Sequence, residues 1–193
     1  MWCRIGVLAV SPMAQKAGNH FIVQRALLNL GHALAGQGDL VAAGHCYQQA
    51  IASSNEMYWF FRAADAHAGL AALDLAQNEG ATAVPHAEAA LALLAQHGLA
   101  AASEPFAVYW ICVRVLQAAG DPRAQTVLAT AYQRLQETAQ QLEEERLRRS
   151  FLENVAVNRN LVAAAQAASI LYPATQSRCN LVSGTMNFVH RYP

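Results

Sequence analysis

The chain has 193 residues, enough for one compact domain or a short helical array with a real buried core. It is 54% hydrophobic and 13% charged, the latter about half the ~25% usual for soluble domains. Formal net charge is zero, which gives no footprint for nucleic acid or an anionic membrane.

Much of the apolar content is alanine, the strongest helix former and a residue that lets helices pack closely. The apolar stretches are interrupted well before the ~18 residues of a membrane helix. The opening segment, MWCRIGVLAVSPMA, has an apolar core from Ile5 to Val10, short for a signal peptide. Residues 1–19 are therefore read as a poorly defined N-terminal segment. Cys3, Cys46, Cys112 and Cys179 form no CxxC pair, and Cys46 and Cys112 fall within helical patterns. That usage predicts reduced thiols and a cytoplasmic protein.

Residues 20–157 read as helical repeats. In the first unit, Leu27, Leu30 and Leu34 lie at helical spacing, and Gly36-Gln37-Gly38-Asp39 breaks the helix. Glycine suits the left-handed C-terminal position, and Asp39 suits the cap of the next helix. Leu40, Ala43, Tyr47, Ala50 and Ile51 continue the stripe. Two such helices cannot bury both stripes alone, so neighbours are required.

A second unit runs from Arg62 to Leu94 and turns near Asn78–Gly80, with Pro85 expected in the first turn of its second helix. A third turns at Gly120 and Asp121, with Pro122 opening the next helix and Leu128, Ala131, Leu135 and Leu142 as its stripe. The turns at Gly38, Asn78 and Gly120 lie 40 and 42 residues apart, a period that predicts an α-solenoid of about three hairpins. Next comes QQLEEERLRRSFLENV, read as the solvated face of one long helix with Glu144–Arg148 and Glu145–Arg149 as i,i+4 pairs. Residues 158–170 suit a capping helix, and 171–193 an irregular tail.

The first unit resembles the tetratricopeptide repeat: Gly31, Gly38, Ala43 and Ala50 hold its small positions and Tyr47 its aromatic one. The small residues let helices approach, and the aromatic fills the gap between hairpins. The second and third units match less closely. Arg62 to Asn158, through AGLAALDLAQ, SEPFAVYWICVRVLQAAGDPRAQTVLATAYQRLQ and RRSFLENVAVNR, resembles the C-terminal repeat region of bacterial signalling ATPases and LuxR/AfsR-type transcription regulators. That resemblance implies an all-α sensor or partner-docking surface following a nucleotide-binding domain. No GxxxxGK[ST] loop occurs, and Lys16, the single lysine, sits in AQKAG. The chain is therefore expected to be part or a fragment of a larger regulator.

Catalytic and metal motifs are not found. No two of the seven histidines lie at i,i+4, no HExxH or GxSxG occurs, and no carboxylate pair is forced together by spacing. The expectation is no catalysis, no cofactor and no metal. Aromatic clusters open the second and third units: Tyr58, Trp59, Phe60 and Phe61, then Phe106, Tyr109 and Trp110. Most are expected to pack between hairpins. The less buried of them, with Arg62 and Arg114, would line a groove made by first helices and anchor a protein or peptide partner. Asn29 faces the same groove, but its neighbours Leu28 and His32 supply no lysine or arginine for carboxylate capture. The two functional expectations are a protein-interaction module and a small-molecule-sensing module that controls a transcription regulator or ATPase. Open repeat ends add an expectation of self-association.

Overall fold

In a computed structural model, residues 20–56 and 62–170 are described, and every regular element among them is helical. The helices are α1 (His20–Gly36), α2 (Leu40–Glu56), α3 (Ala63–Ala76), α4 (Gly80–His97), α5 (Pro105–Ala118), α6 (Arg123–Gln140), α7 (Glu145–Glu153) and α8 (Ala156–Ala167), with a 3-10 turn at Gly98–Ala101. No helix among the described residues is long and apolar enough to cross a membrane.

Helices adjacent in sequence pair most extensively: α1 with α2, α3 with α4, and α5 with α6. Each pair turns on one device. Gly38, Asn78 and Gly120 take left-handed backbone angles, with φ of 82°, 60° and 67°. The amide after each reaches back five residues: Asp39 to Leu34, Glu79 to Asp74 and Asp121 to Leu116, at 2.8–3.0 Å. This is the Schellman closure of a helix C-terminus. Ser169, with φ of 56°, ends α8 in the same way, Ile170 N–H donating to Ala165 O at 2.8 Å.

The residue that closes one helix also starts the next. Asp39 Oδ1 accepts from Ala42 N–H at 3.2 Å, and Asp121 Oδ1 from Arg123 N–H at 2.8 Å. Arg123 binds Asp121 and reaches Glu88 on α4 at 2.7 Å. Its own hydrogen bonds to the guanidinium hold the Asp121 carboxyl below its usual pKa.

The pairs pack on one another, α2 against α3 and α4 against α5, while the first helices α1, α3 and α5 also touch in sequence. α3 is central: nine of its 14 residues are buried, which explains a composition apolar on every side. Two apolar clusters result. One joins α1, α2 and α3 around Leu28, Leu34, Tyr47 and Leu70; the other joins α3 to α8 around Val113, Leu128, Leu135 and Leu161.

Tyr47, 2% exposed, sits between α1 and α3. A Cβ on Gly31 would meet its ring at 2.6 Å, and one on Gly69 would meet the ring at 2.6 Å as well. Both positions therefore require glycine, and the aromatic does fill the gap between hairpins.

Three local expectations are corrected. α4 starts at Gly80, so Pro85 lies inside the helix, past the first turn. The charged run is not one helix: α6 stops at Gln140, and a turn separates it from the nine-residue α7. Arg148 explains the break, donating to the α6 carbonyls of Ala139 (3.2 Å) and to Leu142 O (2.8 Å). It pairs with Glu145 at 2.7 Å, an i,i+3 contact in place of the two expected i,i+4 pairs. Residues 158–170 are largely helical, within an α8 that starts two residues earlier. The expected N-terminal segment and C-terminal tail lie outside the described residues.

Candidate binding cleft

The first helices of all three hairpins border one cleft of about 410 Å³. From α1 come Arg25, Leu28, Asn29 and His32; from the start of α3, Arg62, Asp65, Ala68 and Gly69; from the approach to α5 and α5 itself, Ser103, Glu104, Ala107, Val108 and Ile111. The spacing of the α1 residues places them on one helix face, one turn apart.

Backbone geometry fixes the middle of the cleft. Arg62 precedes α3 in a left-handed conformation, φ 71°, and its N–H donates to Ala101 O at 3.0 Å. A non-glycine residue there costs on the order of 1 kcal/mol or more. Asp65, buried within α3, accepts from Ser103 N–H at 2.7 Å and, in a longer contact, from Glu104 N–H at 3.5 Å. A carboxylate on α3 thus anchors the segment leading into α5 and places a negative charge near that helix's N-terminus, favourable for the helix dipole. Nothing in the sequence near Asp65 announces that role, because its partners lie 38 and 39 residues away.

His32 forms the other wall. Its Nδ1 lies 2.8 Å from Tyr47 Oη, the rings meeting edge to face. Burial pushes the His32 pKa below its ordinary value, against the opposing pull of Asp65. Neutral His32 and the tyrosine hydroxyl share this hydrogen bond, whose direction follows the imidazole tautomer. Burial also pushes the Tyr47 hydroxyl up to about 12, so it stays protonated and able to donate.

Of the residues expected to form a partner groove, the structure brings Asn29 and Arg62 together in this cleft. It corrects the neighbourhood of Asn29, since Arg25, one turn back on α1, and Arg62 are basic residues of the same cleft. Arg114 is exposed and lies with Ile111, Ala72, Leu75 and Ala76 in a smaller hollow of about 130 Å³ between α3 and α5. Ile111 borders both spaces, so Arg114 extends the cleft along the same helices.

Tyr109 is elsewhere: it is buried and borders a second cleft, of about 420 Å³, with Leu94 of α4 and Thr130 and Arg134 of α6. Trp110 is half-buried and packs against the larger apolar cluster. Both serve packing between hairpins. Tyr58 and Trp59 lie outside the described residues.

Cys46 and Cys112 are free and buried, and burial raises both thiol pKa values, that of Cys112 to about 12. Neither carries thiolate at neutral pH, so neither is a ready nucleophile. No group of three or more His, Cys, Asp and Glu side chains converges among the described residues.

The family model TP_0123_C, described as a C-terminal domain, matches residues 45–169, well over half of the chain. The chain belongs to the TP_0123_C family. The matched TP_0123_C region runs from His45 within α2 to Ser169, the left-handed residue that closes α8. No curated protein and no solved structure shows a significant match.

Proposed function

We propose that this TP_0123_C domain is a non-catalytic binding module, a tetratricopeptide-like array whose first helices hold an extended peptide segment of a partner protein. The carrying observation is the single cleft bordered by α1, α3 and α5. Its floor is apolar at Leu28, Ala68, Val108 and Ile111, and its rim is polar at Arg25, Asn29, Arg62 and Glu104. Such a floor takes side chains of a bound strand, and the rim meets peptide groups and charges. The repeated Schellman turns and the glycine-flanked Tyr47 support the solenoid reading.

Selection from a random peptide library with the whole chain tests it. Peptides enriched by the unaltered protein should bind an Arg25→Glu, Asn29→Ala variant about thirtyfold more weakly, as expected for hot-spot residues worth ~2 kcal/mol. Absence of enrichment, or equal binding by the variant, would contradict the reading.

A second reading, a small-molecule sensor, rests on the cleft's volume of about 410 Å³, within the ~300–1,000 Å³ typical of ligand pockets. A metabolite that raises the Tm of the protein but not of the same variant would favour it. In either case the module is read as the end of a larger cytoplasmic bacterial signalling regulator, in keeping with a family described as a C-terminal domain. An immunoblot of source cells decides that point: a product well above 20.8 kDa supports it, and one near 20.8 kDa contradicts it. Val41, 73% exposed on α2, suits the further proposal of self-association, which light scattering would refute by showing a monomer.

A further inference from the structure

The geometry points to a site outside the cleft: we propose that His67 on α3 and His86 on α4 chelate a divalent transition-metal ion of the zinc, nickel or copper type through their Nδ1 atoms. The two Nδ1 atoms face each other at 3.4 Å, with ring centroids 5.6 Å apart and planes inclined at 37°. That distance is longer than the ~2.7–3.2 Å of a good N–H hydrogen bond. It matches an ion between them: two bonds of about 2.0–2.1 Å at a tetrahedral opening place their nitrogens about 3.3–3.4 Å apart. The metal-free pair makes one long hydrogen bond, and an ion of this size would take the place of its proton with little movement of the rings.

Two further observations agree. The rings are held by packed helices, since Ala64, Ala68 and Ala71 on α3 and Ala83, Ala87 and Ala90 on α4 are buried in one cluster. Alanine brings backbones close and fixes the separation of what projects from them. Both histidines are half-buried, partly shielded from water yet open to an entering ion. On binding, the proton shared between the two Nδ1 atoms moves to an Nε2, which leaves both Nδ1 lone pairs for the ion.

Two imidazoles suit zinc, nickel or copper rather than calcium or magnesium, which take oxygen ligands. No third His, Cys, Asp or Glu joins them among the described residues. Water completes the coordination, and the ion is exchangeable, a staple between α3 and α4 rather than a structural centre. The sequence concealed the pair because its members lie 19 residues apart on different helices, with no second histidine at i,i+4 to mark either as a ligand. The inference does not depend on the peptide-binding reading.

The test uses the full chain without a histidine tag, titrated with zinc chloride at pH 7.5 by calorimetry. One equivalent should bind, and His67→Gln and His86→Gln should each weaken it by about a hundredfold through loss of the chelate. His45→Gln and His97→Gln should leave it unchanged. A copper(II) titration followed by NMR of the histidine rings needs no variant, and the His67 and His86 signals should broaden first. No binding at millimolar zinc, unchanged binding in both variants, or broadening confined to other histidines would overturn the proposal.

Discussion

The two junctions between successive hairpins solve one packing problem with opposite distributions of volume. Relative to the left-handed residue of each turn, Gly31, Tyr47 and Gly69 at the first junction correspond to Ala71, Ala87 and Ile111 at the second. At the first, one aromatic ring sits against two glycines. At the second, buried alanines lie close together, Cys112 Sγ donates to Ala87 O at 3.5 Å, and the bulk is carried by aliphatic neighbours such as Val113 and Leu128. A single ring in a tight slot concentrates stability in one side chain; many aliphatic contacts spread it.

The largest expected effect follows from that concentration. Tyr47→Ala should destabilise the protein by about 3–5 kcal/mol, the range for deleting a buried aromatic. It also removes the partner of His32 Nδ1. Ala87→Gly, at the matching position of the second junction, should cost about 1 kcal/mol, the ordinary helix penalty of glycine. Chemical denaturation of both variants measures the contrast, and equal losses would break the comparison.

The slot has a converse test. Gly69→Ala places a methyl 2.6 Å from the Tyr47 ring, and overpacking of this kind costs about 1–3 kcal/mol. Adding Gly69→Ile to Tyr47→Ala copies the second junction's distribution of volume. The double variant should be more stable than Tyr47→Ala alone. A double variant less stable than the single would show that the two junctions are not interchangeable solutions.

The same contrast explains what the sequence disclosed. At the first junction Tyr47 and Gly31 stand out from their surroundings, and the turn residues Gly38 and Asp39 have local signatures, so the hairpin was legible. α3 was harder, because a central helix buried on most sides shows no apolar stripe. The end of α6 was missed because Arg148, its partner at a distance in sequence, supplies the cap that a local motif usually provides. The cleft was legible only in part. Asn29 and Arg62 were expected in it, but Asp65, His32 and Arg25 join it through tertiary contacts. Tyr109 was drawn into packing instead.

A smaller effect separates the junctions by pH. His67 lies in the second hairpin, and burial and His86 lower its pKa to about 4. The unfolded chain takes up that proton near pH 6.5, the folded chain only near pH 4, so the unfolded state binds more protons in between. Stability should fall as pH drops from about 6.5 to 4, by about 1–3 kcal/mol in metal-free buffer. His67→Gln should flatten this part of the stability–pH curve. His32→Gln, at the first junction, should flatten it in the same sense because burial lowers that pKa too, but by less, and a steep curve persisting in His67→Gln would assign the acid sensitivity elsewhere.

The smallest effect tests whether the turns, unlike the junctions, are equivalent. Asn78 occupies the left-handed position that Gly38 and Gly120 fill in the other hairpins, with φ of 60°. Asparagine tolerates that region better than other residues with a Cβ, so the strain relieved by Asn78→Gly is modest. Glycine also gains freedom in the unfolded chain, which opposes the relief. The two terms nearly cancel, and the substitution should change stability by less than about 0.5 kcal/mol. Asn78→Val lacks both the tolerance and the freedom and should cost about 1–2 kcal/mol. If Asn78→Gly were instead strongly destabilising, the amide side chain would hold the turn by contacts of its own, and the second turn would differ in kind from the first and third.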